Sequence, residues 1–141
     1  MTIIESLKTY LAGYSELKDD APLWVDFLGP VPTEYSIIAL AGPIIVNTYI
    51  NGSSEREFPF AFRSVESTAD ELERLETLGF YEEFAAWLES QTAAGEFPTL
   101  AEGQTSTKIE ALGRGYLYQE GESNTGIYQV QGRLRYTQKA N

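Results

Sequence analysis

Apolar residues at the start of the chain recur every three or four positions, which is the period of an amphipathic helix. The stripe comprises Ile3, Ile4, Leu7 and Leu11. We predict a helix over residues 3–12, because Thr2 and Glu5 have the spacing of a capping box and Gly13 is placed to end the helix.

A second helical pattern occupies the middle of the chain. Its periodic positions are Leu72, Leu75 and Leu78, followed by Phe80, Phe84, Trp87, Leu88 and Gln91. Thr68 and Glu71 have capping-box spacing before these residues, so we expect the helical region to begin there. Gly79 is expected to break or kink the run, and Gly95 to stop it after Ala94.

Alternating and β-branched segments predict strands on either side of this helical region. Residues 23–28 form a short strand-like run, and residues 34–41 form either a strand or an irregular segment. The clearest hairpin joins residues 44–50 to residues 55–64 through the Asn51-Gly52 turn, a pair of residues that tolerates positive φ.

The second strand of this hairpin has two different sides. Phe58, Phe60 and Phe62 share one side, which we interpret as core, with a subunit interface as the alternative. Pro59 lies on the other side and lacks the N–H that a ladder hydrogen bond needs. We therefore predict that this strand lies at a sheet edge or is bulged at Pro59.

The C-terminal part of the chain alternates again. A strand over residues 107–117 would present a face of small residues, which the helix bearing Phe84 and Trp87 could approach closely. A loop at residues 121–126 leads into a last strand, which carries Tyr128, Val130, Leu134 and Tyr136 on one side and Gln129, Gln131, Arg133 and Arg135 on the other. This order of elements predicts an α+β fold, a mostly antiparallel β-sheet with helices packed on it.

Composition restricts the possible function classes. The 141 residues suffice for a single domain with its own core. The absence of Cys and His excludes disulfides, thiolate nucleophiles, imidazole bases and metal sites built on those residues. A net charge of −11, most of it carried by residues 66–96, argues against a nucleic-acid binder, because such proteins neutralise phosphates with Lys and Arg.

Targeting signals and membrane spans are not evident in the sequence. The first residues lack a basic segment followed by an apolar core. The most apolar stretch, residues 37–46, is shorter than the roughly 20 residues of a spanning helix. The sequence therefore predicts a soluble protein that is made and kept in a cytoplasm.

Two adjacent carboxylate pairs, Asp19 with Asp20 and Glu82 with Glu83, are the candidates for acid–base chemistry. Adjacent residues do not face a common site on a helix, and both pairs lie in polar stretches. We therefore predict no enzymatic activity and no catalytic, cofactor-binding or metal-binding residues. A small carboxylate-dependent hydrolase is the alternative.

The two arginines of the last strand, Arg133 and Arg135, admit two interpretations. They are either solvated side chains on an exposed strand face or charges that meet acidic residues of another subunit. In the second case the acidic helical region is the complementary surface, with Glu82 and Glu83 as candidate interface residues.

Six segments, in this order along nearly the whole chain, resemble a phage family of minor capsid proteins. They are PTEYSI (32–37), YINGSSER (49–56), GFYEEFAAWL (79–88), LAEGQT (100–105), KIE (108–110) and YQVQGRL (128–134). The family is encoded in the head–tail junction modules of long, non-contractile-tailed phages and of prophages in Gram-positive bacteria. It is similar to tail-terminator, or tail-completion, proteins.

This resemblance implies an α+β structural subunit of the virion that forms a ring, a hexamer, on top of the tail tube. The implied partners are further copies of the chain, the major tail protein and a neck or head-completion protein. DNA passes through without specific binding, and no membrane is involved. The family contributes no catalytic residue and no cofactor, and assembly takes place in the host cytoplasm. A head-side minor capsid or adaptor protein and a small cytosolic binding module are the alternatives.

Overall fold

The first helix forms where the sequence predicts it. The computed structural model describes residues 2–17, 21–28, 34–42, 44–121 and 124–140. Helix α1 (Ile3–Ala12) begins at Thr2, whose Oγ1 accepts a hydrogen bond from the Glu5 N–H at 3.3 Å and donates one to Glu5 Oε1 at 3.1 Å. Gly13 ends the helix, as predicted.

The described residues form a seven-stranded sheet with a long central pair of strands. The strands are β1 (Leu23–Val25), β2 (Glu34–Ala39), β3 (Ile45–Thr48), β4 (Ser54–Ser67), β5 (Gln104–Ala111), β6 (Tyr116–Glu120) and β7 (Thr125–Gln138). The main order is β1-β2-β4-β7-β5, with β3 paired to β4 and β6 paired to β7. Every pair is antiparallel except β1 with β2, so the predicted α+β class with a mostly antiparallel sheet is confirmed.

The β3–β4 hairpin is also confirmed, but the predicted position of β4 at a sheet edge is wrong. Along one side β4 pairs with β7 over its whole length, and along the other it pairs first with β3 and then with β2. Pro59 is tolerated in this central strand because its nitrogen faces the gap between β2 and β3. Its carbonyl accepts the Leu40 N–H at 3.1 Å, just beyond the last β2 pair, Ala39 with Phe60.

The single strand predicted over residues 107–117 is divided into β5 and β6, which both pair with β7. The interruption includes Gly115, which lies against the second helix. A Cβ on Gly115 would stand 2.4 Å from the Tyr81 Cβ, so only glycine permits this approach. The predicted close contact of a helix with a small residue therefore exists, but Tyr81 makes it rather than Phe84 or Trp87.

The second helix, α2 (Glu71–Ala94), is one continuous element, so the predicted break at Gly79 is wrong. Its N-cap is Asp70, not Thr68, and the Asp70 carboxylate accepts the Glu73 N–H at 2.8 Å. The predicted stop is confirmed. Gly95 adopts a left-handed φ of 73°, and the next N–H, that of Glu96, bonds back to the Gln91 carbonyl at 2.9 Å.

Both helices contribute to one core on one face of the sheet. The aromatic rings of α2 lie against β4 and α1, with ring centroids 4.6 Å apart for Phe62 and Phe84 and 5.4 Å apart for Tyr10 and Trp87. Phe60 and Phe62 are fully buried, as the core interpretation predicts, and Phe58 is half-buried. The apolar side of β7, namely Tyr128, Val130, Leu134 and Tyr136, is buried as predicted.

Candidate interaction surfaces

The sheet face opposite the helices carries a row of ion pairs across β4, β7 and β5. Arg133 lies between two carboxylates: its Nη2 is 2.8 Å from Glu110 Oε1, and its Nη1 is 3.4 Å from Glu57 Oε2. Arg135 Nη1 is 3.3 Å from Glu55 Oε1, and its Nη2 is 3.7 Å from Glu57 Oε2. The pairing follows from the β4–β7 register, which sets Arg135 directly opposite Glu57.

These contacts change the interpretation of the two arginines. Both guanidinium groups are half-buried and already paired with acidic side chains of the same chain. Partial burial acts to raise the pKa of Glu110, but hydrogen bonds from Lys108 and Arg133 outweigh it and hold that pKa below its usual value. An interface with another subunit at Arg133 and Arg135 stays a prediction. At such an interface the second copy would contact arginines that are already paired with carboxylates of their own chain.

A second polar network on the same face was not predicted from the sequence. Arg63 Nε donates to Gln129 Oε1 at 2.7 Å, and the Gln129 amide donates to the Tyr116 hydroxyl. The Arg63 guanidinium also lies 4.5 Å from the centre of the Tyr118 ring, within the range of a cation–π contact. On this face the polar side chains described here therefore bind mainly to one another.

Glu82 and Glu83 are both exposed on α2, but they point to different sides of it. Glu82 lines a groove of about 890 Å³ between α2 and β5, together with Glu89 and Arg114. Glu83 lies toward α1, where its charge assists burial in raising the pKa of Tyr14 to about 12. The two carboxylates therefore do not form one acid–base site.

The outer side of the N-terminal half of α2 carries a row of exposed leucines, which we call the leucine ridge: Leu72, Leu75 and Leu78. Leu72 is 66% exposed and Leu75 is 58% exposed. At 3.6 residues per turn Leu72 and Leu75 lie opposite the buried stripe of α2 and Leu78 lies to one side of it; the buried stripe comprises Thr77, Tyr81, Phe84 and Leu88. Glu71, Arg74 and Glu76 are also exposed on this half of the helix, and Glu82 is exposed just beyond it, so the ridge is apolar with mostly acidic flanks.

A second apolar surface lies on the β3–β4 hairpin, which we call the apolar hairpin: Ile44, Ile45, Val46, Tyr49 and Ile50. All five side chains are exposed, and Ile50, at the turn, is fully exposed. Residues 36–54 contain no charged side chain. The strand was predicted from its β-branched residues, but its exposure on both sides was not.

The described ranges contain no group of three or more His, Cys, Asp or Glu side chains that could hold a metal ion. Of the two carboxylate pairs that the sequence suggested, Asp19 with Asp20 lies outside the described residues. Within residues 2–17, 21–28, 34–42, 44–121 and 124–140, no helix is both long and apolar enough to span a membrane. No protein-family model matches the sequence, and no curated protein matches it.

Proposed function

We propose that this chain is a structural subunit of the phage head–tail junction, a tail-terminator or completion protein that forms a ring on the tail tube and docks to the neck. The proposal rests on two observations together: the resemblance of the six sequence segments to the phage family, and the exposed surfaces described above. Its expected location is the virion, after assembly in the host cytoplasm.

The observation that carries the proposal is the presence of two different exposed apolar surfaces on one chain. Monomeric proteins seldom leave several large apolar side chains together in solvent, and such patches mark sites of protein association. A ring is built from a heterologous contact, in which two unlike patches of each subunit meet. The leucine ridge and the apolar hairpin supply two such patches.

Their separation supports the same arrangement. The apolar hairpin precedes the N-terminal end of β4, whereas α2 follows its C-terminal end after a connection of three residues, 68–70. A strand of 14 residues is about 45 Å long at 3.2–3.4 Å per residue. The two patches therefore lie toward opposite ends of the subunit, where each can meet the next copy.

Charge is consistent with a passage for DNA. The nine acidic residues between positions 66 and 96, against one basic residue, give α2 and its flanks a strongly negative surface. A negative surface does not bind phosphates, so DNA that passes a ring lined by it would not be retained.

The test is elongation of tail tubes from the major tail protein encoded in the same gene module. Added to growing tubes, this protein should cap one end and stop elongation, which electron microscopy would show as short tubes with a ring at one end. Tubes of unchanged length would contradict the proposal. In that case, binding to purified portal or neck protein would identify the alternative, a head-side adaptor.

A further inference from the structure

The apolar hairpin is a surface that needs a cover. Among the described strands, β3 pairs with β4 alone, so its other edge has no strand beside it. Proteins usually protect such an edge with charges, proline or another element, because an exposed apolar edge promotes aggregation. Here the edge strand is uncharged: two of its four residues, Ile45 and Val46, are apolar, and the other two are Asn47 and Thr48. The nearest charged residue along the chain beyond the turn is Glu55.

Other large apolar side chains, among them Trp24, Phe27 and Leu112, are also exposed. The leucine ridge differs from them because its three leucines follow one another at three-residue spacing along one helix, which gives the hairpin a continuous apolar surface to pack on. Packing ridge against ridge would bring together the acidic side chains of two copies, with Glu71, Glu76 and Glu82 against a single exposed arginine, Arg74, in each copy, and like charges at close range repel. Packing the uncharged hairpin on the ridge buries the leucines without that repulsion. The ridge covers about 9 Å of helix from Leu72 to Leu78, and strand β3 from Ile45 to Thr48 covers about 10 Å.

We infer that the apolar hairpin of one copy docks on the leucine ridge of the next copy, in a head-to-tail contact. This inference rests on the proposed ring and names the two surfaces that close it. Both apolar patches are covered by one contact, whereas a two-fold contact between hairpins would leave every ridge in solvent. The same contact explains why the outer half of α2 carries leucines at all.

The chain has no cysteine, so pairs of single-cysteine variants can report this contact directly. We would mix Ile50→Cys with a differently tagged Leu75→Cys, at high concentration and again on capped tail tubes, and measure disulfide-linked dimers. The matched control replaces Leu75→Cys by Lys8→Cys, an exposed position on α1. Docking predicts about tenfold more mixed dimers for Ile50 with Leu75 than for the control pair, because docking raises the local concentration of the two thiols.

Equal amounts of mixed dimer in the two mixtures would overturn the inference. A dominant dimer of Ile50→Cys with itself would also overturn it, in favour of a two-fold contact. Capping by the wild-type protein is measured separately. If the protein caps tubes but the mixed disulfide does not form, docking of the hairpin on the ridge is wrong and the proposed function stands. If the mixed disulfide forms but the protein does not cap tubes, the docking stands and the proposed function is wrong.

Charge at Ile50 provides a second test that does not threaten the fold, because this side chain is fully exposed. Ile50→Glu should weaken self-association more than Ile50→Lys, since the glutamate would face the carboxylates beside the ridge and the lysine would pair with them. Sedimentation of the two variants in low salt gives the comparison. The opposite order, or equal effects, would show that the partner surface of the hairpin is not acidic and would contradict docking on the ridge.

Discussion

The two halves of α2 use large apolar side chains in opposite ways. In the C-terminal half, Tyr81, Phe84 and Leu88 are fully buried against the sheet and α1, whereas in the N-terminal half Leu72 and Leu75 stand in solvent. Both halves are regular helix under the same caps. Burial of one side fixes the helix on the sheet, so the leucines on the other side contribute surface rather than stability.

The largest expected effect is on the free energy of unfolding, and truncating one large apolar side chain in each half of α2 tests the comparison. Phe84→Ala should lower the free energy of unfolding by about 3–5 kcal/mol, because it leaves a cavity beside Phe62 and Tyr14. Leu75→Ala should change it by less than about 0.5 kcal/mol. Urea denaturation of the monomer measures both values, and similar losses for the two variants would show that the ridge is part of the core.

A methyl group at the seam between α2 and the sheet should have the next largest effect. Gly115→Ala would drive a Cβ into Tyr81 and should cost about 1–3 kcal/mol of unfolding free energy. Gly113→Ala is the matched control, since no described atom lies within 4 Å of its added Cβ. If thermal denaturation finds the two variants equally stable, the close approach at Gly115 is not a constraint on the fold.

Substitution of Tyr81 tests the contribution of hydrogen bonds on the buried side of α2. Its hydroxyl donates to the Tyr128 carbonyl at 3.1 Å and lies 2.6 Å from Ser64 Oγ, so Tyr81→Phe should cost about 1–3 kcal/mol by leaving buried partners unsatisfied. Tyr118→Phe, at an exposed position on β6, retains its ring over Arg63 and should cost far less. A loss at Tyr118 equal to that at Tyr81 would contradict this assignment.

The same hydroxyl gives the protein a predicted alkaline limit. Burial raises the pKa of Tyr81 well above 10, and burial likewise raises the pKa of Tyr14 to about 12. The unfolded chain therefore releases these protons first, and the free energy of unfolding should fall as the pH rises above about 10. Denaturation midpoints between pH 8 and 11 would measure this decline, which Tyr81→Phe should reduce. A midpoint that stays constant to pH 11 would exclude such a limit.

The sequence predicted the individual helices and strands of this fold better than it predicted which elements lie next to one another. The first helix, the hairpin, the buried side of β7 and the stop at Gly95 follow from short-range patterns. The position of β4 inside the sheet does not follow from such a pattern. A residue without an N–H, such as Pro59, fits a sheet edge and equally a gap between two neighbouring strands, and the gap between β2 and β3 is set by the pairing of the whole sheet.

The surfaces were harder to predict for the same reason. A spacing of three residues, as in Leu72, Leu75 and Leu78, turns back by about 60° at each step, so it does not say which side of a helix meets the sheet. The aromatic residues further along α2 decide that. The pairing of Arg133 with Glu57 joins positions 76 apart in the chain and depends on the β4–β7 register, which no local pattern encodes.

The smallest effect is expected where the two halves of α2 meet, at Gly79. The helix is continuous there, and outside the adjoining helix backbone no described atom lies within 4 Å of an added Cβ, so Gly79→Ala should raise the free energy of unfolding by about 0.5–1 kcal/mol through helix propensity alone. Gly95→Ala, at the C-cap of the same helix, is the control. Its φ of 73° penalises a side chain, so it should lower stability by about 1–2 kcal/mol. Opposite signs in urea denaturation would establish Gly79 as ordinary helix, and a loss at Gly79 would mean that the leucine half must bend away from the aromatic half.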